Sequence, residues 1–281
     1  MPQNTQVQTV DLTNCDREPI HIPGSIQPHG ALLSFDMGLT IALRHSENAR
    51  EMLGLTGEIN GAPAESLLGS QLIHSLRNAL VTMGDSARPA LLFAERMPAG
   101  GVFDIAIHRY RSNVIVEFEA VDEEAAQPLR IARTLIERIS RLETVEQLAH
   151  GAARLVRGVL GYDRVMVYRF ERDGAGKVIA EVKRSDLESF LGQYFPGSDI
   201  PQQARALYLK NTIRIISSSS YEPIRLVPQF DLSGEPLDLS FAHLRSVSPI
   251  HLEYLRNMGV GASMSISIIV DGELWGLIAC H

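Results

Sequence analysis

Serines alternate with large apolar residues along 262–270. On an extended strand this puts Ser263, Ser265 and Ser267 on one face and Met264, Ile266, Ile268 and Val270 on the other. Such a row of hydroxyls is either a solvated sheet face or the polar wall of a cavity. The next segment, ELWGLIACH, is apolar on both faces, as a strand covered on both sides should be, and favours the cavity. It ends at His281. The segment PIHLEYLRNM sets His251 and Tyr254 three residues apart, with Leu255 and Met258 continuing that helical face. An amphipathic helix with a core histidine fits this spacing as well as a ligand-facing one. Arg214 and Arg245 each neighbour apolar or loop segments rather than runs of charge. Arginines, serines, a tyrosine and histidines gathered at one cavity would suit a planar ligand carrying carboxylates, because guanidinium grips a carboxylate through two parallel hydrogen bonds. Each arginine is equally compatible with the surface, and Asp199, shortly before Pro201, with a helix N-cap.

Other chemistries lack their residues. No CxxC or HExxH spacing is present, which excludes the common zinc sites. Cys280 and His281 are adjacent in a strand and point to opposite faces, poor geometry for a thiolate–imidazole pair. No glycine-rich phosphate loop occurs. Cys15 and Cys280 lie at opposite ends, and the N-terminal segment lacks the basic leader and apolar core of an export signal, so free thiols are expected. A net charge of −7 argues against nucleic acid as a partner. No stretch approaches the roughly 20 apolar residues that span a bilayer. The expectation is a cytoplasmic protein with no membrane partner.

Two domains must position these residues, as 281 residues with 45% hydrophobic content allow. Residues 1–25 read as an extended arm. Short β-type runs follow at 31–35, 40–43, 90–95, 102–110 and 114–121. FDIAIHRY and VIVEFEAV alternate as half-buried antiparallel strands do. Ser46 is the expected N-cap of a helix over ENAREML that Gly54 ends. The pattern over 26–122 predicts a small α+β domain of the PAS type. A second domain is expected over 131–281. Leu135, Ile139, Leu142, Val145, Leu148, Ala152, Leu155 and Val159 recur at helical spacing, and Thr144 with Gln147 forms a capping box between two helices. A hairpin turns at Asp173–Gly174, Pro201 opens a helix running to Asn211, and 216–247 reads as a long loop. Ser248–Pro249 starts a last helix that Gly259 ends, and two strands hinged at Asp271–Gly272 close the chain. Flanking helices on a sheet, with one long loop, describe a GAF domain.

Five segments carry a resemblance to a known family. DLTNCDREPIHIPGSIQPHGALL resembles the lead-in of bacteriophytochromes, and YDRVMVYRF, FPGSDIPQQARALY, LRSVSPIHLEYLRNMGVGASMSIS and LWGLIACH resemble the phytochrome GAF blocks, in the same order. The resemblance implies an α+β fold of PAS followed by GAF, each an antiparallel sheet with flanking helices, and an arm threaded through a GAF loop as a knot. It implies a red/far-red photoreceptor fragment that holds biliverdin IXα through a thioether at Cys15 and senses light by isomerisation of a bilin double bond. By the same resemblance Asp199 and Ile200 lie at the pyrrole nitrogens, His251 shares a central water with them, and Arg214, Tyr208 and Arg245 clamp one propionate. Ser263 and Ser265 meet the other propionate, and Ser248 joins either group. Met166, Tyr168, Phe195 and Tyr254 wall the terminal ring, and His281 faces its carbonyl. The family continues beyond His281 into a last GAF helix, a PHY domain and an output module. This implies no enzymatic activity for the chain itself, and for the full-length protein a light-regulated histidine kinase, a homodimer and a response-regulator partner. Gly197 departs from the family's alanine and is expected to loosen the approach to Asp199. The alternative from another class is a GAF module binding a cyclic nucleotide or similar small molecule, with Cys15 incidental.

Overall fold

The structure, a computed structural model, describes residues 18–84, 88–121, 137–140 and 142–281. Cys15 and most of the helix expected ahead of Thr144 lie outside them. The first part of the chain forms β1 (Ser25–Ile26), β2 (Gly30–Phe35), β3 (Ala42–Ser46), α1 (Ala49–Met52), α2 (Ala64–Leu68), α3 (Ser70–Thr82), β4 (Ala90–Arg96), β5 (Val102–Tyr110) and β6 (Asn113–Ala120). Strand β3 starts later than its apolar run suggests. The Asp36 carboxylate accepts hydrogen bonds from the amides of Thr40 (2.6 Å) and Ile41 (2.8 Å) and keeps that segment in a turn. Ser46 is not a cap. It ends β3, where its Oγ accepts from the Leu32 amide at 3.0 Å, and Asn48 holds the cap position of α1.

The second part supplies α4 (Val145–Leu160), β7 (Arg164–Phe170), β8 (Gly176–Lys183), β9 (Tyr194–Phe195), α5 (Gln202–Lys210), β10 (Ile213–Ile216), β11 (Ile224–Val227), α6 (Pro249–Asn257), β12 (Ser263–Val270) and β13 (Glu273–Cys280). Thr144 caps α4 as its spacing predicts, accepting from the Gln147 amide. The helix phase differs from the expected stripe. Ala149, Ala153 and Val156 face the sheet, while Val145, Leu148 and Val159 are exposed. Small alanines let the helix lie close to the strands, which turns the larger residues outward.

Two antiparallel sheets result, in the orders β1-β11-β3-β2-β6-β5-β4 and β10-β12-β13-β7-β8-β9. The segment 216–247 is therefore not without structure, because β11 crosses into the first sheet and pairs with both β1 and β3. One face of that sheet packs on α1–α3 through Leu33, Phe35, Val116 and Phe118. The other is covered by Leu237, Leu239, Ala242 and Leu244 from the same long segment, so β6 is buried on both faces rather than half-buried. The second sheet has α4 on one face, with Met264, Ile266 and Cys280 in the core between them. Its opposite face carries the site. No helix among the described residues is long and apolar enough to cross a membrane.

Gly176 shows how tightly that second face is built, since a Cβ there would fall inside the Tyr168 ring. Gly176→Ala is expected to lower the unfolding free energy by about 1–3 kcal/mol, read from urea denaturation. In a Tyr168→Ala background the same change should add almost no further loss, because the obstructing ring is gone.

Candidate functional site

Strand register explains how residues far apart in sequence become neighbours. Ile216 pairs with Ser263, Arg214 with Ser265, Ser265 with Ala279, and Ala279 with Met166. In the adjacent row Leu277 pairs with Tyr168, and Tyr168 with Val178. Cross-strand partners share a face, so these side chains form one continuous floor. Over it stand His251, Tyr254 and Leu255 of α6, Tyr208 of α5, and Asp199 and Ile200 from the turn before α5. Phe190, Phe195, Met258 and His281 line the sides of a hollow holding about 800 Å³ of empty space, part of it open to solvent. The serine row is therefore a cavity wall. Ser267, one step further along, donates to the Tyr208 carbonyl at 2.8 Å and ties β12 to α5.

The cavity is an apolar slot with few polar groups, as small-molecule sites usually are. Burial pushes the His251 pKa down to about 3, with Arg214 and His281 adding to the shift. His281 falls to about 4, again mainly by burial. Both rings are neutral at neutral pH and can donate and accept a proton. Asp199 is raised by burial, while the Tyr254 hydroxyl, which donates to its Oδ2 at 3.2 Å, holds it down. That bond replaces the capping role, since Pro201 occupies the N-cap position of α5. Tyr168 and Tyr254 are both raised to about 12, first by burial and then by Asp199. The histidine and tyrosine rings of α6 stack, with centroids 6.0 Å apart.

A second hollow continues the cavity toward the arm. Asp199, Ile200, Tyr208, Arg214, His251 and Tyr254 line both, and Glu18, Ile20 and Ser248 line only the extension. Ser248 donates to Glu18 Oε2 at 2.6 Å. Arg245 lines neither hollow. It is 5% exposed, donates to the Ile20 carbonyl at 2.7 Å, and leaves its Nε without a partner among the described residues. Burial first, and then Arg214, depress its pKa to about 9. Cys280 points into the opposite core, where burial raises its thiol to about 12, and away from His281.

Several functional residues escaped the sequence reading. Val178, Ile216, Leu277 and Ala279 line the cavity and were within reach of it, because they share strand parity with residues already singled out. Phe190 was not, since it lies in an aperiodic loop. Its place comes from Arg164, whose guanidinium sits 3.8 Å over its ring, and from Glu181, which accepts from its amide at 3.2 Å. Arg205 holds the turn that presents Asp199 by donating to the carbonyls of Ile200 (2.8 Å), Gly174 and Gly197 (3.3 Å). Gly197 belongs to this close packing. A Cβ there would lie 2.9 Å from the Gly174 carbonyl, so its glycine brings turn and hairpin together rather than loosening them.

The chain matches the family models for a PAS fold over residues 15–121 and a GAF domain over 144–281. It is 42% identical over 285 residues to a bacteriophytochrome of Pseudomonas aeruginosa, covering 99% of this chain and 38% of that one. It is also 42% identical to cyanobacterial phytochrome B of a Nostoc species, covering 37% of its length. The chain thus spans about two fifths of the length of these relatives. Among solved structures, the chromophore-binding domain of Stigmatella aurantiaca phytochrome P1 matches with a TM-score of 0.84 at 42% identity, covering 95% of this chain and 90% of that one. The chromophore-binding domain of RpBphP3 from R. palustris matches equally well, with a TM-score of 0.84. By sequence and by fold, the chain belongs to the bacteriophytochromes and is the PAS–GAF chromophore-binding region of that photoreceptor family.

Proposed function

We propose that this chain binds biliverdin IXα covalently through Cys15 and serves as the light-sensing part of a longer cytoplasmic signalling protein. The observation that carries this reading is the pair Arg214 and Arg245. Arg214 lines the apolar cavity, Arg245 is buried close enough to it for the two charges to repel, and neither has an ion pair among the described residues. Asp238, the carboxylate whose charge supports Arg245, is itself engaged by Arg111 at 3.1 Å. A buried guanidinium short of a counter-charge is costly, and a propionate carboxylate between half-buried Arg214 and buried Arg245 would supply one. Ser263 and Ser265 stand further along the same floor to meet a second carboxylate, and Met166, Tyr168, Phe195 and Tyr254 supply flat walls for a ring.

A bound bilin would supply light absorption and isomerisation about one of its double bonds. The chain's own residues would orient and protonate it. Asp199 places a carboxylate where a cationic ring nitrogen system would need one, and neutral His251 and His281 can pass protons without carrying charge. Cys15 lies three residues before Glu18, so an extended chain keeps its Cα within about 11 Å of a residue lining the extension. Its sulfur would add to one vinyl carbon and its proton would go to the neighbouring carbon, with no change of oxidation state overall. Bonds from Gln27, just past the arm, to residues at both ends of the long segment support the expected threading. Gln27 contacts the Ile215 carbonyl and Ser217 amide, and also the Leu244 carbonyl. Relay through a PHY domain to a histidine kinase, a homodimer and a response regulator would belong to the longer protein.

Co-expression with a haem oxygenase should yield a blue-green protein whose pigment stays on the chain in denaturing electrophoresis, seen by zinc-induced fluorescence. Cys15→Ser should abolish that band and Cys280→Ser should keep it, because the Cys280 thiol is buried and poorly ionised. A persistent band in Cys15→Ser would overturn the assignment. Asp199→Asn should leave the apoprotein's stability nearly unchanged but lower the pKa of the bound pigment and raise its emission, checked by pH titration of the red absorption band. His251 makes a separate prediction for the apoprotein. Its folded pKa, about 3, lies below the ordinary 6.5, so its stabilising contribution is complete above pH 6.5 and drains away as pH falls toward 3. Between pH 7 and pH 5 the wild type should lose about 2 kcal/mol more than His251→Gln, measured by denaturant unfolding.

A further inference from the structure

Glu117 sits in the middle of β6, on the face turned away from the first core, and is 1% exposed. Its ladder neighbours are Leu32 and Ala106, which offer no hydrogen bond from their side chains. Both carboxylate oxygens are instead taken up by the backbone of the long segment. The Leu244 amide donates to Oε1 at 2.6 Å and the His243 amide to Oε2 at 3.0 Å. Burial pushes the Glu117 carboxyl up to about 7, against these two amides and the charge of Arg245, which pull it down. Leu244 is wholly buried against Gly30, where an added Cβ would lie 2.5 Å from its Cδ1 and 2.7 Å from the Phe118 carbonyl.

From this fixed point the chain runs straight to the arm. The Leu244 carbonyl accepts from the Gln27 amide at 2.7 Å, and the Arg245 guanidinium donates to the Ile20 carbonyl. The Ser246 amide donates to the Ser25 carbonyl at 3.2 Å, and the Ser248 hydroxyl donates to Glu18 at the mouth of the cavity extension. We propose that Glu117 is a positioning residue for chromophore attachment, one that fixes residues 243–248 and through them the arm carrying Cys15. This rests on the reading that Cys15 receives the pigment. A carboxylate is required because two N–H donors converge on it. Glutamine offers one acceptor and one NH2 group, and the latter would face an N–H.

The test uses Glu117→Gln, which removes one acceptor, and Gly30→Ala, which displaces Leu244 sterically and leaves the carboxylate alone. Hydrogen exchange on the apoprotein reads the arm without any pigment. In both variants, exchange over 18–27 and 239–248 should rise at least about tenfold, as a lost buried hydrogen bond implies, with β12 and β13 unchanged. With biliverdin added, the rate of covalent attachment should fall by a similar factor. In a Cys15→Ser background, where attachment cannot occur, adding either variant should leave non-covalent pigment uptake, read as the red absorption band, at the extent shown by Cys15→Ser alone. Unchanged arm exchange, or unchanged attachment rate in both variants, overturns the proposal. So does general unfolding that reaches β12 and β13 in both variants, which would make Glu117 a residue of the fold alone. If the wild type takes up no biliverdin, the functional reading fails while the exchange result still judges whether Glu117 holds the arm.

Discussion

A strand inside a sheet needs a partner along each edge, and β11 is such a strand supplied from the other half of the chain. It lies between β1 and β3 of the first sheet, although the elements before and after the long segment, β10 and α6, belong to the wall of the cavity in the second. The segment leaves β10 at Ile216, whose neighbour Arg214 lies on the cavity floor, and returns through 237–248 to α6, which carries His251. Both ends of the excursion are therefore tied to the site, and its middle is tied to the first sheet. Unpairing β11 would expose the edge of β3 and leave β1 without a ladder, and unpaired buried backbone groups are expensive. The arm is held by this excursion too, since among the described residues β1 pairs with β11, and Ile26 bridges to Arg245 of the same segment.

The same excursion changes what the first sheet means. Its outer face would be a solvated surface in an isolated domain, yet here it carries Leu32, Ile115 and Glu117 beneath Leu237, Leu239 and Leu244. His108 shares that burial, and desolvation lowers its pKa to about 3, so it too is neutral. Of these two buried polar residues, Glu117 is the one whose bonds fix a geometry. The Glu117 carboxylate is met by two amides that no apolar side chain could satisfy.

Charge in the cavity follows one rule, which is that burial neutralises what it can. His251, His281, Tyr168 and Tyr254 are all driven toward their uncharged forms. The guanidiniums do not follow at neutral pH, since even Arg245, which burial depresses to about 9, keeps its proton there. Arg214 therefore brings positive charge to the floor of the apolar slot, with Arg245 buried close by, and Asp199 accepts from the Tyr254 hydroxyl.

Period-two alternation in the sequence was enough to put Ser263 and Ser265 on one face and Met264 and Ile266 on the other, because a strand's side chains must alternate. Thr144 with Gln147, the Asp173–Gly174 turn and Pro249 at the start of α6 are likewise local, decided by backbone hydrogen bonds within a few residues. The order of strands was not local. Nothing near Ile224–Val227 says that its partners are Ser25–Ile26 on one side and His45–Ser46 on the other. For the same reason VIVEFEAV read as half-buried, while the covering Leu244 lies 127 residues from Glu117. Helix α4 read correctly as a helix, but its buried face was chosen by how closely Ala149 and Ala153 let it approach the sheet. Asp199 could be a cap or a cavity carboxylate until Tyr254 and Pro201 took their places around it. Local chemistry in the sequence determined the elements and the residue types of the site. Only tertiary packing decided which faces were covered, because burial depends on what arrives from elsewhere in the chain.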